Sequence, residues 1–345
     1  MPDHRRPDVA LVTGGGGFVG RHLVRQLVAQ GDTVRTLGRN RYPHLPPEVT
    51  QHTGSILNDV SLAEAIAGTT VVYHAAALAS SFGDPREFDR VNVEGTRRVL
   101  DACRDAGVRR LVYTSSPSVV FGHAGHIDAD ESLPYPDAFL ADYPRTKAEA
   151  ERLVLAADAA EESGELRTVA IRPHLVFGPQ DGSLLPRIVD RARRGRLRIV
   201  GPGDSSISVA YVENVAAAHR QAADELAGEA RCGGRAYFIN EPEALTTKVW
   251  INRLLGMAGQ PPCERHVSPR VAYAAGATLE TLWRLTGKTT EPPMTRFVAK
   301  QLSEPHSFRI DAAVRDFGYA PPVDWNTALA RTSDWAAAAF EDKPR

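Results

Sequence analysis

The chain has 345 residues, of which 43% are hydrophobic and 24% are charged, so it can bury a large core in one large or two unequal domains. A formal net charge of -1 argues against a surface built to track nucleic acid, and no apolar run is long enough to cross a bilayer. Three widely spaced cysteines, Cys103, Cys232 and Cys263, predict reduced thiols in a cytoplasmic protein.

Residues 9–20 read VALVTGGGGFVG, the pattern of a buried parallel strand, a glycine turn and the start of a helix. Gly14 can adopt backbone angles closed to other residues, and Gly17 has no Cβ to hold a pyrophosphate away from the main chain. Gly20 lets the helix lie close to the strand, and the first helical turn offers free amide hydrogens to a phosphate. This context favours dinucleotide binding over a purely structural turn.

A second strand is predicted at residues 33–37, and Gly38, Arg39 and Arg41 follow it. An NAD site of this type places an acidic residue near this position, where it binds the ribose hydroxyls. Here Gly38 stands instead, and the guanidinium of Arg39 suits the 2'-phosphate of NADP in charge and geometry. We therefore expect NADP(H) in preference to NAD(H); the alternative is that both arginines are ordinary surface residues.

Strands and helices continue to alternate over the first half of the chain, which predicts an α/β fold, a Rossmann-type doubly wound parallel sheet. Further strands are expected at residues 49–54, 71–77, 110–116 and 168–172, and helices at 58–67 and 85–106. The small side chains of Ala75 and Ala76 let one strand end approach a cofactor. Asn92, a polar residue among valines in the helix at 85–106, is either a satisfied core group or a member of a proton relay.

The strand at 110–116 ends in Ser115 and Ser116, at the edge of the sheet where ligands bind. Further on, Tyr143 and Lys147 are four residues apart, and Pro144 suits the first turn of a helix, so both side chains share one helical face. We expect the lysine ammonium to favour the phenolate, lower the pKa of Tyr143 and make it a general acid/base.

Together these segments resemble the extended short-chain dehydrogenase/reductases. The resemblance rests on TGGGGFVG at 13–20, HAAA at 74–77, TSS at 114–116, YPRTK at 143–147 and RPHLVFGP at 172–179. It implies that Tyr143 exchanges the proton, that Ser116 (or Ser115, if the register shifts by one) binds the substrate oxygen, and that Lys147 also holds the nicotinamide ribose. It further implies a homodimer through the helices at 85–106 and 142–157, no catalytic metal, and cofactor contacts from Gly14, Gly17, Phe18, Val19, Gly20, Arg39, Ala75, Ala76, Tyr143, Lys147, Pro173 and Leu175.

More closely, VYTSSPSVVF at 112–121 and AYFIN at 236–240 resemble the 3-beta-hydroxysteroid dehydrogenase branch, and within it the bacterial 2-alkyl-3-oxoalkanoate reductases. That resemblance implies interconversion of a secondary alcohol and a ketone on a bulky hydrophobic substrate. One alternative is a sugar-nucleotide epimerase or dehydratase, which Leu175 disfavours because family members of that type carry an asparagine there. Another is a non-catalytic NADP-sensing regulator, which would not need Tyr143 and Lys147 in this spacing.

The alternation breaks down beyond residue 179, which predicts a smaller C-terminal substrate-binding domain. We assign 1–178, with 209–240 returning to it, to the NAD(P)-binding domain, and 179–208 with 241–345 to the substrate-binding or lid domain. The helix at 268–286 has an apolar face formed by Val271, Ala275, Leu279 and Leu282. We favour a packing helix over a lid, and a lid over a membrane-surface helix. His123 and His126 have a metal-like spacing without further ligands nearby, so we expect a solvated loop.

Overall fold

The computed structural model describes residues 7–122, 124–158, 166–243 and 245–341. The strands, in chain order, are β1 (Val9–Thr13), β2 (Thr33–Gly38), β3 (Thr50–Thr53), β4 (Val71–His74), β5 (Arg110–Thr114), β6 (His126–Ala129), β7 (Arg167–Pro173), β8 (Val176–Phe177), β9 (Ile199–Val200), β10 (Ser206–Ile207), β11 (Ala210–Tyr211), β12 (Arg235–Ile239), β13 (Leu245–Thr246), β14 (His266–Val267) and β15 (His306–Phe308). The α-helices are α1 (Phe18–Ala29), α2 (Asp59–Ile66), α3 (Pro85–Phe88), α4 (Gly95–Asp105), α5 (Asp142–Ala156), α6 (Leu184–Arg193), α7 (Val212–Ala227), α8 (Thr247–Met257), α9 (Pro269–Leu285), α10 (Arg296–Ser303), α11 (Asp311–Phe317) and α12 (Trp325–Phe340).

Seven parallel strands form the central sheet, in the order β12-β7-β5-β4-β1-β2-β3. The chain runs outwards from β1 through β2 and β3, and then returns to build the other half from β4, so the order reverses between β1 and β4. Open parallel sheets bind ligands at the carboxyl ends of the strands at such a reversal. The predicted Rossmann-type sheet is confirmed, and its reversal lies where the glycine turn follows β1.

Helices cover both faces of this sheet, which explains why its inner strands β1, β4, β5 and β7 are mostly buried and largely apolar, whereas the edge strand β3 is polar. On one face Leu23 of α1 and Ala222 of α7 pack with the buried side chains of β1 and β7. On the other face Leu62 of α2, Leu100 of α4 and Val154 of α5 complete a second buried cluster. The glycine turn and the start of α5 are thereby held at one edge of a rigid sheet.

The continuous helix predicted at 85–106 is interrupted by a π-helical segment, Asp89–Glu94, between α3 and α4. Asn92 lies in this segment, is buried, and uses its side chain to bind Leu78 and Thr146. The hydroxyl of Thr96 donates to the carbonyl oxygen of Asn92 at 2.6 Å, which occupies a backbone acceptor inside the helix. Such π turns commonly mark functional sites. Here the wider turn carries Asn92, whose side chain joins the loop after β4 to α5.

The remaining elements form smaller sheets and helical layers beside the central sheet. A four-stranded sheet has the order β13-β10-β15-β6, so β6, which precedes α5 in the chain, pairs with β15 near residue 306. Thr246 caps α8, because its side chain accepts from the amide of Val249. Phe308 of β15 packs with Phe238 of β12 and with Val119, which follows β5, so this smaller sheet lies against the central sheet near the carboxyl ends of those strands.

The predicted orientation of the helix at 268–286 is wrong, although the helix itself forms as α9. Its buried residues are Ala272, Gly276 and Glu280, whereas Val271 is 58% exposed and Leu282 is 49% exposed. Periodicity reveals an apolar stripe on a helix but not whether another element covers it. Here close packing against the start of α10 selects the opposite face.

Within the described ranges, no helix is both long enough and apolar enough to cross a membrane. The three cysteines are buried, and each is a free thiol.

Candidate active site

The glycine turn after β1 is shaped by backbone contacts that exclude side chains. Gly14 has φ +70°, and a Cβ there would lie 2.9 Å from the Cα of Ala76. A Cβ on Gly20 would overlap the carbonyl oxygen of Gly14, so α1 begins directly against the turn. Gly17 is the N-cap of α1, with no side chain over the free amides of the first turn. This cradle fits the pyrophosphate of a dinucleotide.

A buried hydrogen-bonded chain links the turn to the segment after β4. The hydroxyl of Thr13 lies 2.7 Å from Nδ1 of His74 and accepts from the amide of Ala76 at 3.3 Å. Nε2 of His74 lies 3.0 Å from the hydroxyl of Thr96, and burial lowers the pKa of His74 to about 3. His74 is therefore neutral and fixes Ala75 and Ala76 beside Gly14. In the sequence, this histidine stands out only as the first residue of HAAA at 74–77.

The carboxyl end of β2 presents Arg39 and Arg41 to solvent. Among the residues that the structure describes, neither guanidinium has a hydrogen-bond or ion-pair partner, so both can turn towards an anion. The ring of Tyr42 lies over Gly16 of the turn, where a Cβ would collide with it. Tyr42 was not predicted, because the contact joins residues in two different loops.

Tyr143, Ser116 and Lys147 meet beyond the end of β5. Tyr143 and Lys147 share one face of α5, and Pro144 lies in its first turn, as predicted. The Ser116 hydroxyl accepts from the amide and the hydroxyl of Ser118 at 3.2 and 2.9 Å, and it lies beside the phenol of Tyr143. Lys147 is 2% exposed; its Nζ donates to the carbonyl oxygen of Thr114 at 2.5 Å and lies 3.9 Å from the centre of the Tyr113 ring. The three side chains thus form a compact group at the sheet edge.

The predicted lowering of the pKa of Tyr143 by Lys147 is wrong for this structure. Burial raises the pKa of Tyr143, and the neighbouring Ser116 hydroxyl lowers it by less. Burial lowers the pKa of Lys147 to about 7, and the charge of Glu151 offsets part of this effect. Because desolvation disfavours the charged form of both groups, Tyr143 is a protonated phenol at neutral pH, the form that donates a proton.

Ser115 does not occupy the position of Ser116. Its amide donates to the carbonyl oxygen of Ile171 at 2.6 Å, and its buried hydroxyl faces Glu151. Glu151 is bound in turn by Arg172, whose Nε and Nη2 donate to the two carboxylate oxygens at 3.0 and 2.6 Å, and by the Tyr135 hydroxyl at 2.6 Å. This buried network joins α5 to β7 and was not predicted.

Among the residues that the structure describes, the side chain of Asn92 is hydrogen bonded to Leu78 and Thr146 and not to Tyr143 or Lys147. Its Oδ1 accepts from the amide of Leu78 at 2.7 Å, and its Nδ2 donates to the Thr146 hydroxyl at 3.0 Å. Of the two roles considered for Asn92, a satisfied core group and a member of a proton relay, these hydrogen bonds agree with the first. Asn92 holds the loop after β4 against α5, the helix that carries Tyr143.

The segment after β7 brings Pro173 and Leu175 to the same edge of the sheet. Leu175 has φ +37°, an uncommon conformation for a residue with a branched side chain. Leu175 and, from α1, Phe18 and Val19 all pack against one buried apolar cluster, so these three predicted residues border the same part of the core. Pro173 is buried at the end of β7.

His174, between Pro173 and Leu175, forms a pair with His306 that no sequence motif predicted. Nε2 of His174 lies 2.5 Å from Nδ1 of His306, and Nε2 of His306 lies 2.6 Å from the carbonyl oxygen of Gln301. Both histidines are buried and their pKa values are lowered, chiefly by burial. The two residues are 132 positions apart, so only the folded chain reveals the pair.

The metal-like spacing of His123 and His126 leads to no metal site in the described residues. His126 begins β6, and its Nε2 lies 3.3 Å from the carbonyl oxygen of Val120. His123 lies outside the described residues. Across the four described ranges, no group of three or more His, Cys, Asp or Glu side chains could hold a metal ion.

Comparison with known proteins places this arrangement in a family. Residues 11–259 match the model of the 3-beta hydroxysteroid dehydrogenase/isomerase family. The chain is 44% identical over 333 residues to the 2-alkyl-3-oxoalkanoate reductase of Stenotrophomonas maltophilia (strain K279a), covering 95% of this chain and 99% of that protein. It is 33% identical over 324 residues to the mouse (Mus musculus) decarboxylating sterol-4-alpha-carboxylate 3-dehydrogenase, covering 93% of this chain and 89% of that protein.

The fold is also similar to solved structures. MoeE5 in complex with UDP-glucuronic acid and NAD superposes with a TM-score of 0.71 at 25% identity, covering 96% of this chain and 99% of that one. The family model spans most of the chain, and the identity to both relatives exceeds 30% over nearly their whole length. The chain therefore belongs to the 3-beta hydroxysteroid dehydrogenase/isomerase family.

Proposed function

We propose that the protein is an NADP(H)-dependent oxidoreductase that interconverts a ketone and a secondary alcohol on a bulky hydrophobic substrate. The observation that carries this proposal is the group formed by Tyr143, Ser116 and Lys147 at the carboxyl edge of β5. A proton donor, a second hydroxyl and a buried lysine at this edge suit carbonyl reduction beside a dinucleotide.

In the direction of reduction, Tyr143 protonates the carbonyl oxygen of the substrate. Its raised pKa keeps the proton on the phenol until negative charge develops on the substrate oxygen. The Ser116 hydroxyl donates a hydrogen bond to the same oxygen and orients it. Lys147 uses one donor on Thr114 and offers the others to the nicotinamide ribose. A bound nicotinamide cofactor supplies the hydride.

The residues around the glycine turn are suited to binding a dinucleotide, and the residues after β2 are suited to binding the 2'-phosphate of NADP(H). Gly14, Gly17 and Gly20 leave the turn open to a pyrophosphate. Arg39 extends from the end of β2, where Gly38 replaces the acidic residue of an NAD site and leaves no carboxylate to repel a 2'-phosphate. We therefore propose NADP(H) as the preferred cofactor.

The substrate that we propose is a 2-alkyl-3-oxo acid with long alkyl chains, and a 3-hydroxysteroid or 3-oxosteroid is the second choice. The first follows the name of the S. maltophilia relative and the second that of the mouse relative. A UDP-sugar is disfavoured, because Leu175 cannot supply the hydrogen bond of an asparagine.

The test is nicotinamide absorbance during turnover, first with NADPH and then with NADH, against long-chain 2-alkyl-3-oxo acids, steroid ketones and UDP-sugars. We expect oxidation of NADPH with an apolar ketone, and a loss of roughly 10²- to 10⁴-fold in Tyr143→Phe with cofactor binding intact. Turnover confined to UDP-sugars would overturn the substrate assignment. Cofactor binding without turnover of any compound would indicate the NADP-sensing regulator.

We also propose the domain division and a homodimer. Residues 1–178 with 209–240 carry the cofactor, while 179–208 and 241–345 cover the substrate. A groove of about 290 Å³ runs between α4 and α5 and is lined by Leu100, Arg104, Leu153 and Ala156, among others. We propose that a second copy packs along this groove, and light scattering of the purified protein, which reports a monomeric or dimeric mass, tests the homodimer. The buried free thiols support a cytoplasmic location.

A further inference from the structure

The proton positions of the buried pair His174 and His306 follow from the groups that they contact. The carbonyl oxygen of Gln301 can only accept, so Nε2 of His306, which lies 2.6 Å away, carries a proton. His306 is neutral, because burial lowers its pKa, and its Nδ1 is therefore unprotonated. Nε2 of His174, 2.5 Å from that Nδ1, must then be the donor. The pair thus forms one directed chain of hydrogen bonds from His174 through His306 to Gln301.

This chain of hydrogen bonds joins the central sheet to the C-terminal part of the fold. His174 follows the last residue of β7, His306 begins β15, and Gln301 lies in α10. Both histidine side chains are buried, so their hydrogen bonds are shielded from water. The chain is therefore a fixed connection between the sheet and α10.

Two segments of the candidate active site meet at this pair. His174 is the middle residue of the segment 173–175, which carries two of the predicted cofactor contacts. The other segment is the loop after Ser116, which leads to Phe121. The rings of Phe121 and His306 meet edge to face, with their centres 5.9 Å apart. The pair therefore lies between the segment that bears Ser116 and the segment predicted to contact the cofactor.

The segment 173–175 has a backbone conformation that needs such a connection. Leu175 has φ +37°, which a residue with a branched side chain rarely adopts. Such a conformation persists only where the surrounding structure determines it. The amide of His174 donates to the carbonyl oxygen of Ile239 at 3.3 Å, and its ring is hydrogen bonded to His306. Residue 174 is thus anchored through its main chain and its side chain, directly beside Leu175.

We propose that His174 and His306 are positioning residues, which hold the segment 173–175 in the conformation that receives the nicotinamide ring of the cofactor. Both act through this segment and not on the reacting atoms. The proton positions are independent of the proposed function, whereas the positioning role rests on it, because it requires a bound nicotinamide. Hydride transfer depends steeply on alignment, and a displacement of about 1 Å costs about 10²-fold in rate.

Nitrogen NMR of the unmodified protein with isotope-labelled histidine tests the proton positions. We expect Nε2 of both His174 and His306 to carry the proton, and Nδ1 of each to have the chemical shift of an unprotonated nitrogen. The signals that are missing from His174→Gln and from His306→Asn assign the pair. A proton on Nδ1 of His306 would overturn the directed chain, whatever the protein does in turnover.

Two amide substitutions at residue 306 separate the two hydrogen bonds. His306→Gln places an amide N–H near the position of Nε2, so the bond to Gln301 is kept and His174 loses its acceptor. His306→Asn places a carbonyl oxygen near the position of Nδ1, so His174 has an acceptor again. With NADPH and an apolar ketone, His306→Gln should lower kcat by about tenfold or more and increase the isotope effect of deuterated NADPH. His306→Asn should recover most of this loss.

Tyr237→Phe is the matched control for the loss of one buried hydrogen bond. Tyr237 is buried on β12, next to β7, and its hydroxyl donates to Asp316 at 2.8 Å. This variant should retain kcat, because its hydrogen bond does not reach the segment 173–175. An equal loss of kcat in Tyr237→Phe and His306→Gln would show that the histidine pair is merely structural.

The fluorescence of bound NADPH reports the surroundings of the nicotinamide ring without turnover. It should change in His306→Gln and stay unchanged in Tyr237→Phe. Unchanged fluorescence in His306→Gln would overturn the proposal, and so would an unchanged kcat in that variant. If the unmodified protein turns over no ketone while the fluorescence differs in this way, the proposed reaction fails and the positioning of the nicotinamide stands.

Discussion

Glu151→Gln tests the buried ion pair that joins the helix of the candidate active site to the sheet. Glu151 lies one turn beyond Lys147 on α5 and is fully buried, and Arg172 on β7 is 4% exposed. Two hydrogen bonds, at 3.0 and 2.6 Å, join the pair. The variant leaves the guanidinium buried without an opposite charge, and removing one partner of such a pair costs about 3–5 kcal/mol.

Urea unfolding at neutral pH measures this loss, with Glu149→Gln as the matched control. Glu149 lies on the same helix and pairs with Arg145 at 3.0 Å, but the two side chains are 38% and 30% exposed. Solvent screening limits the contribution of that pair to less than about 1 kcal/mol. The double variant Glu151→Leu with Arg172→Met should recover most of the stability, because it leaves no buried charge. Equal losses in Glu151→Gln and Glu149→Gln would refute the reasoning.

The same comparison has a defined pH dependence. Burial raises the pKa of Glu151, but the charge and hydrogen bonds of Arg172 outweigh it, so the pKa lies below the ordinary value of 4.5. A lowered carboxyl pKa contributes stability above the unfolded value, and this contribution is lost as the pH falls through the folded value. The stability gap between the unmodified protein and Glu151→Gln should therefore narrow as the pH falls below 4.5.

Three further predictions concern the cofactor turn, the buried lysine and the cofactor preference. Gly14→Ala should abolish cofactor binding and cost about 1–3 kcal/mol beyond the cost of Gly68→Ala. Both glycines have φ near +70°, but only the methyl group at Gly14 meets Ala76, so equal unfolding midpoints in urea would contradict this. Lys147→Met should lose turnover. Its stability should rise relative to that of the unmodified protein as the pH falls from about 10.5 to about 7, because burial opposes protonation of the folded lysine. Unfolding at several pH values measures this difference in stability. Arg39→Gln should raise the KM for NADPH by about tenfold or more and leave the KM for NADH unchanged. Steady-state kinetics with both cofactors measures this, and an equal rise in both KM values would contradict the role of Arg39.

The sequence alone determined the features that depend on residues close together in the chain. The turn after β1 is local, because Gly14, Gly17 and Gly20 shape it within one strand, one turn and one helix. The pairing of Tyr143 with Lys147 is also local, since four residues on a helix bring two side chains onto one face. The alternation of strands and helices determined the class of sheet for the same reason.

Tertiary structure decided the features that depend on which distant residues become neighbours. Spacing placed Lys147 near Tyr143 but could not give the burial that raises the phenol pKa. Periodicity gave α9 an apolar stripe, but the fit of Gly276 against Thr295 turned that stripe to solvent. The contacts of His174 with His306 and of Asn92 with Leu78 likewise join separate segments. Desolvation and packing depend on the whole fold. A local sequence pattern therefore predicts which side chains form the site, whereas the folded chain determines their burial, their pKa values and their contacts.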